Sequence, residues 1–128
     1  MRYVPCVQDF RQLEVWHTSM DLAKACYQAV PTLPNDERFG LATQIKRGAV
    51  SVPSNIAEGC GRNSRRELAY FIGVAIGSLF ELETQIEIAN DLYGLPSIGE
   101  LFEKLNATKA KLLKFRAAVR RQMGTESI

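Results

Sequence analysis

The chain contains few of the residues on which metal sites, disulfide frameworks and nucleophilic catalysis depend. Its 128 residues include one histidine, His17, and three cysteines, Cys6, Cys26 and Cys60. The cysteines are odd in number and lack CxxC spacing, which indicates neither a disulfide framework nor a zinc site. We therefore expect a reduced, cytoplasmic protein that uses no metal and no cofactor.

The sequence also lacks a hydrophobic run long enough to cross a membrane. Residues 68–82 form its most apolar stretch, which is shorter than the roughly 20 residues of a spanning helix and is flanked by Glu67 and Glu83. Residues 1–8 are too few and too polar to carry the apolar region of a secretory signal. We expect neither export nor a membrane partner.

Only five prolines and nine glycines interrupt a chain that is 46% hydrophobic and 23% charged. This composition is typical of a soluble globular protein. A chain of this length buries roughly two-thirds of the surface that its unfolded form exposes, so it can form a core without a covalent staple. The sequence predicts one domain over residues 1–128.

Apolar residues recur at steps of three and four along four segments, which predicts four amphipathic helices. Their apolar rows are Leu13, Trp16, Met20, Ala23, Tyr27 and Val30; Ile45, Ala49, Val52 and Ile56; Leu68, Ile72, Ala75, Leu79, Leu82, Ile86, Ala89 and Tyr93; and Leu101, Leu105, Thr108, Leu112, Phe115 and Val119. The helices are predicted at about residues 10–30, 36–58, 64–93 and 98–122. Because the connections are short and no strand-like alternation competes, we expect an all-α, antiparallel up-down-up-down four-helix bundle.

Proline and capping residues mark several of the helix ends. Pro31 and Pro34 end the first helix, and residues 35–37 bring acceptors and negative charge to the N-terminus of the second. Ser64 and Glu67 match a capping box, in which the two residues satisfy each other's backbone donors at the start of the third helix. These residues support the predicted boundaries.

The second helix has two unusual features. Pro53 lies in its interior, where it removes the hydrogen bond to the carbonyl of Ala49 and predicts a kink between the two residues. Gly59 and Gly61 follow, and glycine suits a left-handed residue at a helix C-terminus. We expect this helix to be kinked and to end at these glycines.

Polar side chains form a second row beside the apolar row of the same helix. This polar row and a matching one on the third helix consist of Gln44, Arg47, Ser51, Asn55 and Glu58, and of Ser78, Glu81 and Gln85. Arg47 and Glu81 are the most natural charge-assisted pair between them. A buried network of this kind favours one pairing and one register of the helices. The alternative is that the row lines a ligand pocket.

Residues 44–61, with the sequence QIKRGAVSVPSNIAEGCG, resemble the central signature of a family of four-helix-bundle proteins encoded by intervening sequences of bacterial 23S rRNA. The resemblance begins at residues 13–16 (LEVW) and includes residues 39–41 (FGL) and 77–85 (GSLFELETQ). It implies a ring-shaped homopentamer. It also extends, more distantly, to accessory proteins of diversity-generating retroelements.

Independently of that resemblance, the third helix carries apolar residues that the core of one bundle does not need. Gly73, Ile76 and Phe80 lie off its core row. Exposed apolar surface of this kind marks contact sites. We therefore expect these three residues to lie in an interface between subunits.

Basic residues crowd the last predicted helix, although the formal net charge of the chain is only +2. No acid occurs between Glu103 and Glu126. The candidate phosphate contacts are Lys104, Lys109, Lys111, Lys114, Arg116, Arg120 and Arg121, with a second cluster at Arg62, Arg65 and Arg66. Such a surface favours nucleic-acid backbones as partners. Because no aromatic residue interleaves with the exposed basic positions, the sequence gives only weak support for stacking on bases and does not indicate recognition of base sequence.

The sequence thus favours a non-enzymatic bundle that self-assembles and offers basic surface to RNA or to a nucleic-acid-bound protein. One alternative is a ring that acts as a protein scaffold and has no nucleic-acid role. Another is a metal- or ligand-binding bundle, since Glu14 and His17 have the ExxH spacing of di-iron bundles. Those sites need two such motifs and two further glutamates, whereas His17 is the single histidine of the chain.

Overall fold

The computed structural model describes the backbone of residues 9–126 and the side chains of residues 9–124, so the expectations for Cys6 and residues 1–8 fall outside it. Within this range the chain is all-helical and contains no strand. Its four α-helices are α1 (Glu14–Ala29), α2 (Leu41–Cys60), α3 (Arg65–Tyr93) and α4 (Ile98–Glu126). α1 packs against α2 and α4, and α3 packs against the same two helices, as in a four-helix bundle.

The starts of α1 and α3 are fixed in different ways. α1 begins at Glu14 and not near residue 10, because Phe10–Gln12 forms a separate 3-10 turn that the carboxylate of Asp9 caps. At the start of α3, the hydroxyl of Ser64 accepts from the backbone N–H of Glu67 at 3.2 Å. The capping role predicted for Ser64 is therefore confirmed.

α2 also begins later than predicted, at Leu41. Asn35–Glu37 forms its own 3-10 turn, from which Glu37 Oε1 accepts from the backbone N–H of Leu41 at 3.1 Å. The second carboxylate oxygen accepts from the hydroxyl of Tyr93, at the end of α3, at 2.5 Å. The bond from Tyr93 and the bond from Leu41 together hold the pKa of Glu37 below its ordinary value. The carboxylate therefore caps α2 and ties it to α3.

The left-handed cap predicted at Gly59 and Gly61 is wrong. Gly61 has φ −84°, and among the described residues Gly94, which ends α3, is the one with positive φ, at 71°. Gly59 serves a different purpose. A Cβ there would lie 2.9 Å from Leu68 Cδ1 and 3.1 Å from Phe71 Cβ, so the missing side chain allows α2 and α3 to approach closely.

α2 continues as one helix through Pro53, which is buried. The kink predicted between Ala49 and Pro53 stays a prediction. Next to the proline, the side-chain amide of Asn55 donates a hydrogen bond to the backbone carbonyl of Ser51 at 2.8 Å.

The apolar rows predicted for α2, α3 and α4 form most of the core. Their buried members are at most 3% exposed: Ile45, Ala49, Val52, Ile56, Leu68, Ile72, Ala75, Leu79, Leu82, Ile86, Ala89, Leu101, Leu105, Thr108, Leu112 and Val119. Thr108 satisfies its hydroxyl by donating to the carbonyl of Lys104 at 2.8 Å. Two members differ from the prediction, since Tyr93 is 40% exposed and Phe115 is half-buried.

The row predicted as the core seam of α1 is wrong for much of its length. Ala23 and Val30 are buried, but Trp16 and Met20 are only half-buried and Tyr27 is exposed. The core row of α1 is instead formed by Val15, Ser19, Leu22, Cys26 and Ala29. α1 therefore carries two adjacent apolar rows, of which one is left at the surface.

Candidate nucleic-acid interface

Part of the basic surface predicted for α4 is already neutralised within the subunit. Lys109 Nζ lies 2.9 Å from the carboxylate of Glu83 on α3, and Lys111 Nζ lies 3.0 Å from that of Glu14 on α1. Lys104 lies 3.9 Å from a carboxylate one turn earlier on its own helix. The stretch without acids in the sequence is therefore not free of acids in space, because neighbouring helices supply them.

The C-terminal half of α4 keeps cations without such partners. Lys114, Arg116, Arg120 and Arg121 form no ion pair with an acid among the side chains of residues 9–124. Lys114, Arg120 and Arg121 are exposed and Arg116 is half-buried. Cations near a helix C-terminus are also favoured by the helix dipole. The position of these cations near the C-terminus of α4 therefore explains part of their clustering. Because they form no ion pair with a described acid, they can bind phosphate.

The three arginines of the second predicted cluster, Arg62, Arg65 and Arg66, have different environments. Arg65 is fully buried, and its Nε donates to Gln122 Oε1 on α4 at 3.0 Å, so its assignment as a phosphate contact is wrong. Arg62 pairs with Glu58 at 2.6 Å. Arg66 is exposed and lies next to Arg65, whose bond to α4 brings the start of α3 to the C-terminal half of α4.

Five cations thus share one end of the subunit, which we call the basic end: Arg66, Lys114, Arg116, Arg120 and Arg121. Arginine can hold a phosphate with two parallel hydrogen bonds, and four of the five are arginines. The arrangement offers charge and hydrogen-bond donors, with the exposed ring of Tyr70 one helical turn after Arg66. Its chemistry suits a sugar-phosphate backbone better than a base.

Part of the predicted polar row forms a bonded cluster between α2 and α3. The hydroxyls of Ser51 and Ser78 lie 2.8 Å apart, and the amide of Asn55 donates to Ser51 Oγ at 3.0 Å. Gln85 lies on the same side, and its buried Oε1 has no hydrogen-bond partner. This cluster is half-buried and joins two helices, as a structural network does.

The remaining members of the polar row lie at the surface. Gln44, Arg47, Glu58 and Glu81 are all exposed. Arg47 and Glu81 form no ion pair with each other, although both lie in the described part of the chain, so the pairing predicted for them is wrong within the subunit.

The comparison with known families agrees with the resemblance found in the sequence. The model of a family described as 23S rRNA-intervening sequence protein matches residues 11–114. The chain belongs to this family. The match includes all of α1, α2 and α3, but Arg116, Arg120 and Arg121 lie beyond it. None of the curated proteins matches the chain significantly. The relation to accessory proteins of diversity-generating retroelements stays a prediction.

The two residues of the metal-binding alternative have other partners in the subunit, and the buried Cys26 is not an activated thiol. The carboxylate of Glu14 meets Lys111, and His17 Nε2 donates to the carbonyl of Arg11 at 2.6 Å. Burial raises the pKa of the Cys26 thiol to about 12, so it stays protonated and unreactive at neutral pH. No group of three or more His, Cys, Asp or Glu residues suited to a metal occurs in the described range. Over the same range, no helix is both long and apolar enough to span a membrane.

The interface candidates on α3 behave differently from one another. Ile76 is only 6% exposed, so the expectation that it is an accessible interface residue is wrong. Phe80 is 46% exposed, with the ammonium of Lys109 5.3 Å from the centre of its ring. Gly73 is half-buried, and a Cβ there would meet no atom within 4 Å. Gly73 and Phe80 stay candidates.

The outer face of α3 carries further apolar side chains that the sequence analysis did not select. Tyr70 and Leu92 are 66% and 64% exposed, and Val74 and Ile88 are also exposed. With Gly77 between them, these residues recur at helical spacing along one face, and we call them the α3 stripe. Their steps of three or four residues, with one of eleven from Gly77 to Ile88, keep them on one face of the helix and were the signal in the sequence.

The surface row of α1 lines an open apolar groove with α2, which we call the α1/α2 groove. Its volume is about 690 Å³. Its lining consists of Phe10, Trp16, Met20, Ala23, Lys24, Tyr27, Gln28, Val50, Pro53, Ser54 and Ala57. The sequence analysis placed its α1 residues in the core, because the two apolar rows of α1 are only one position apart.

Proposed function

We propose that this 23S rRNA-intervening sequence protein is a non-enzymatic, cytoplasmic, self-assembling bundle that binds nucleic acid, foremost RNA, through its basic end. The observation that carries the proposal is the set of cations in the C-terminal half of α4 that have no acidic partner among the described side chains. The family name associates its members with an intervening sequence of 23S rRNA, which supports RNA as the polyanion.

The proposed subunit is an antiparallel up-down-up-down bundle. Residue pairs between neighbouring helices support this topology, because their order along one helix is reversed along the other. Ser51 meets Ser78, and Gly59 approaches Leu68 nearer the start of α3. In the same way, Arg65 at the start of α3 meets Gln122 late in α4, whereas Glu83 further along α3 meets Lys109 earlier in α4.

Self-assembly into a ring, a homopentamer by family resemblance, would repeat the basic end on every subunit. Each phosphate neutralised by a cation releases a condensed counterion, so affinity rises with the number of contacts. Several subunits that bind one strand also convert later contacts into intramolecular ones. A ring therefore binds where the few contacts of one subunit are too weak. With Tyr70 as one exposed ring beside five cations, the basic end offers little surface for stacking on bases, which predicts little preference for sequence.

Fluorescence anisotropy with labelled single-stranded RNA of mixed sequence tests the proposal. Replacing Lys114, Arg116, Arg120 and Arg121 with Glu should abolish binding at low salt, because the charge at the basic end is reversed. A matched control replaces Lys109 and Lys111, whose charges Glu83 and Glu14 already neutralise, and should weaken binding only slightly. Equal losses in the two variants, or no binding by the wild type at low salt, would contradict the proposal.

A protein scaffold without a nucleic-acid role is the second candidate, and the α1/α2 groove favours it. An open apolar groove on the surface is a place where another protein can dock. The absorbance ratio at 260 and 280 nm of protein purified without nuclease separates the two candidates. Protein free of nucleic acid that also fails to bind RNA would make the scaffold the leading function, whereas co-purified RNA supports the first proposal.

A further inference from the structure

We infer that the α1/α2 groove receives the α3 stripe of a second copy of this chain, so that subunits join head to tail through two different surfaces. The inference rests on the self-assembly proposed above and names the surfaces that carry it. Both are apolar, both lie at the surface of the subunit, and each lacks a covering element among the described residues.

The shapes of the two surfaces are complementary. The groove is a concave space between two helices, with Trp16, Met20 and Pro53 among its apolar lining. The stripe is a convex face of one helix, about 33 Å long from Tyr70 to Leu92, so one part of it lies along a groove whose α1 lining from Trp16 to Gln28 is about 18 Å long. A helix face in a groove between two helices is the common way in which helices bury apolar rows.

The charge around the groove is positive. Lys24 lies in its lining, and Lys46 and Arg47 lie beside Val50 in an adjoining depression of about 450 Å³ that shares Tyr27 with the groove. None of these three cations forms an ion pair with a described acidic side chain. The Lys46 ammonium instead lies 5.5 Å from the centre of the Tyr27 ring. The groove therefore suits an apolar partner with negative charge at its edges.

The α3 stripe has that composition. Glu81 lies between its apolar residues, and Glu87 and Asp91 lie beside them, all three exposed. No described basic side chain pairs with these acids. No lysine or arginine occurs from residue 67 to residue 103, so α3 supplies no cation of its own to neutralise them. The face therefore carries apolar residues towards its two ends, Glu81 between them, and Glu87 and Asp91 beside its C-terminal half.

Pairing of like surfaces is disfavoured by the same charges. Two stripes placed together would bring Glu81, Glu87 and Asp91 towards a second set of acids. If two grooves met, two concave surfaces would face each other and the cations of both would come together. Only the pairing of groove with stripe matches both shape and charge. Arg47 and Glu81, which do not pair within the subunit, are then available to bond between subunits.

A head-to-tail interface has a consequence for the size of the assembly. Each pair of subunits still has one free groove and one free stripe, so further subunits can add, as a ring where the rotation between neighbours closes and as an open filament where it does not. A symmetric dimer, in contrast, uses the same surface on both subunits and stops at two. Heterologous docking therefore predicts an assembly with more than two subunits.

Charge reversal on each surface, followed by sedimentation at micromolar concentration, tests the inference. The groove variant carries Lys46→Glu and Arg47→Glu, and the stripe variant carries Glu81→Lys and Glu87→Lys. Each should sediment as a monomer of about 14.3 kDa where the wild type is assembled. The variant with all four changes, whose groove is acidic and whose stripe is basic, should regain the wild-type mass. Reversal of Glu100 and Glu103 on α4, which lie on neither surface, should leave the mass unchanged.

The outcomes separate this inference from the proposal on which it rests. A monomeric wild type contradicts self-assembly itself. If the wild type is assembled and the groove variant keeps the wild-type mass, some other segment or partner fills the groove. That result overturns the inference and leaves self-assembly in place. The variant with all four changes also overturns the inference if it stays monomeric although circular dichroism shows that it is folded. Its reversed groove and its reversed stripe carry opposite charges and should attract each other.

Discussion

At the scale of single residues, Gly59 determines how closely α2 and α3 approach. Gly59→Ala should lower the free energy of unfolding by about 1–3 kcal/mol, because the new methyl group would overlap Leu68 and Phe71 and force one of the two helices to shift. Chemical denaturation measures the loss. Gly99→Ala is the matched control, since a Cβ at that position would meet no atom within 4 Å. Equal stability of the two variants would contradict the packing role of Gly59.

Asn55 and Glu58 lie on the same row of α2 but differ in what they contact. Asn55→Ala should cost about 1 kcal/mol, because the loss of its two bonds to Ser51 exceeds the better helix propensity of alanine. Glu58→Ala removes only an exposed ion pair and should change stability by less than about 0.5 kcal/mol. Urea midpoints of the two variants make the comparison. A larger loss for Glu58→Ala would mean that the row acts through charge and not through the hydroxyl-amide cluster.

Single residues were also where sequence reasoning erred most. Arg65 was assigned to a phosphate-binding cluster because it lies close to Arg62 and Arg66 in the sequence, yet it is fully buried and donates to the side chain of Gln122 on α4. Ile76 was assigned to the surface because it lies beside the core row, but that row of α3 is wide enough to bury it. In both cases the outcome depends on a neighbouring helix that local spacing does not reveal.

At the scale of helices, the sequence was most informative where one apolar row stood alone. α2 has a single apolar row flanked by polar positions, and all four predicted core residues are buried. α1 has two apolar rows one position apart, so periodicity could not distinguish the core from the groove. Helix starts were predicted less well, because Phe10–Gln12 and Asn35–Glu37 form 3-10 turns whose composition resembles that of a first helical turn.

Glu37 joins two helices and makes that junction sensitive to acid. Because hydrogen bonds from Tyr93 and Leu41 lower its pKa in the folded state, the stability it contributes is present above the ordinary carboxyl pKa. That stability is lost as the pH falls through the lower folded value. Tyr93→Phe removes the larger cause of the shift and should raise the pKa of Glu37 towards its ordinary value.

Carbon-detected NMR titration of the Glu37 carboxyl measures that change directly. Tyr70→Phe is the matched control, since the ring of Tyr70 packs against Phe71 at the other end of α3. It should leave the Glu37 titration as in the wild type. An unchanged Glu37 pKa in Tyr93→Phe would show that the phenol does not stabilise the carboxylate in solution.

At the scale of the whole molecule, a nearly neutral chain separates its charges into distinct surfaces. The formal net charge of +2 conceals a basic end, a cationic groove and an acidic α3 face. The sequence alone could locate the basic run of α4, but not which of its cations neighbouring helices neutralise. Together with the burial of Arg65 and the pairing of Arg62 and Lys104, pairing by Glu83 and Glu14 reduces the basic surface predicted for α4 and the start of α3 to the C-terminal half of α4 and Arg66. The same separation of charge supports both nucleic-acid binding and assembly of unlike surfaces.

The salt dependence of RNA binding tests the central claim, that the basic end binds phosphates, most directly. For single strands the slope of log affinity against log salt is about −0.7 for each phosphate neutralised. Replacing Lys114, Arg116, Arg120 and Arg121 with Gln should therefore make the slope shallower by up to about three for each subunit in contact, and lower the affinity equally for RNAs of different sequence. A variant that binds with the wild-type slope would contradict the account, because the phosphates would then be bound elsewhere on the molecule.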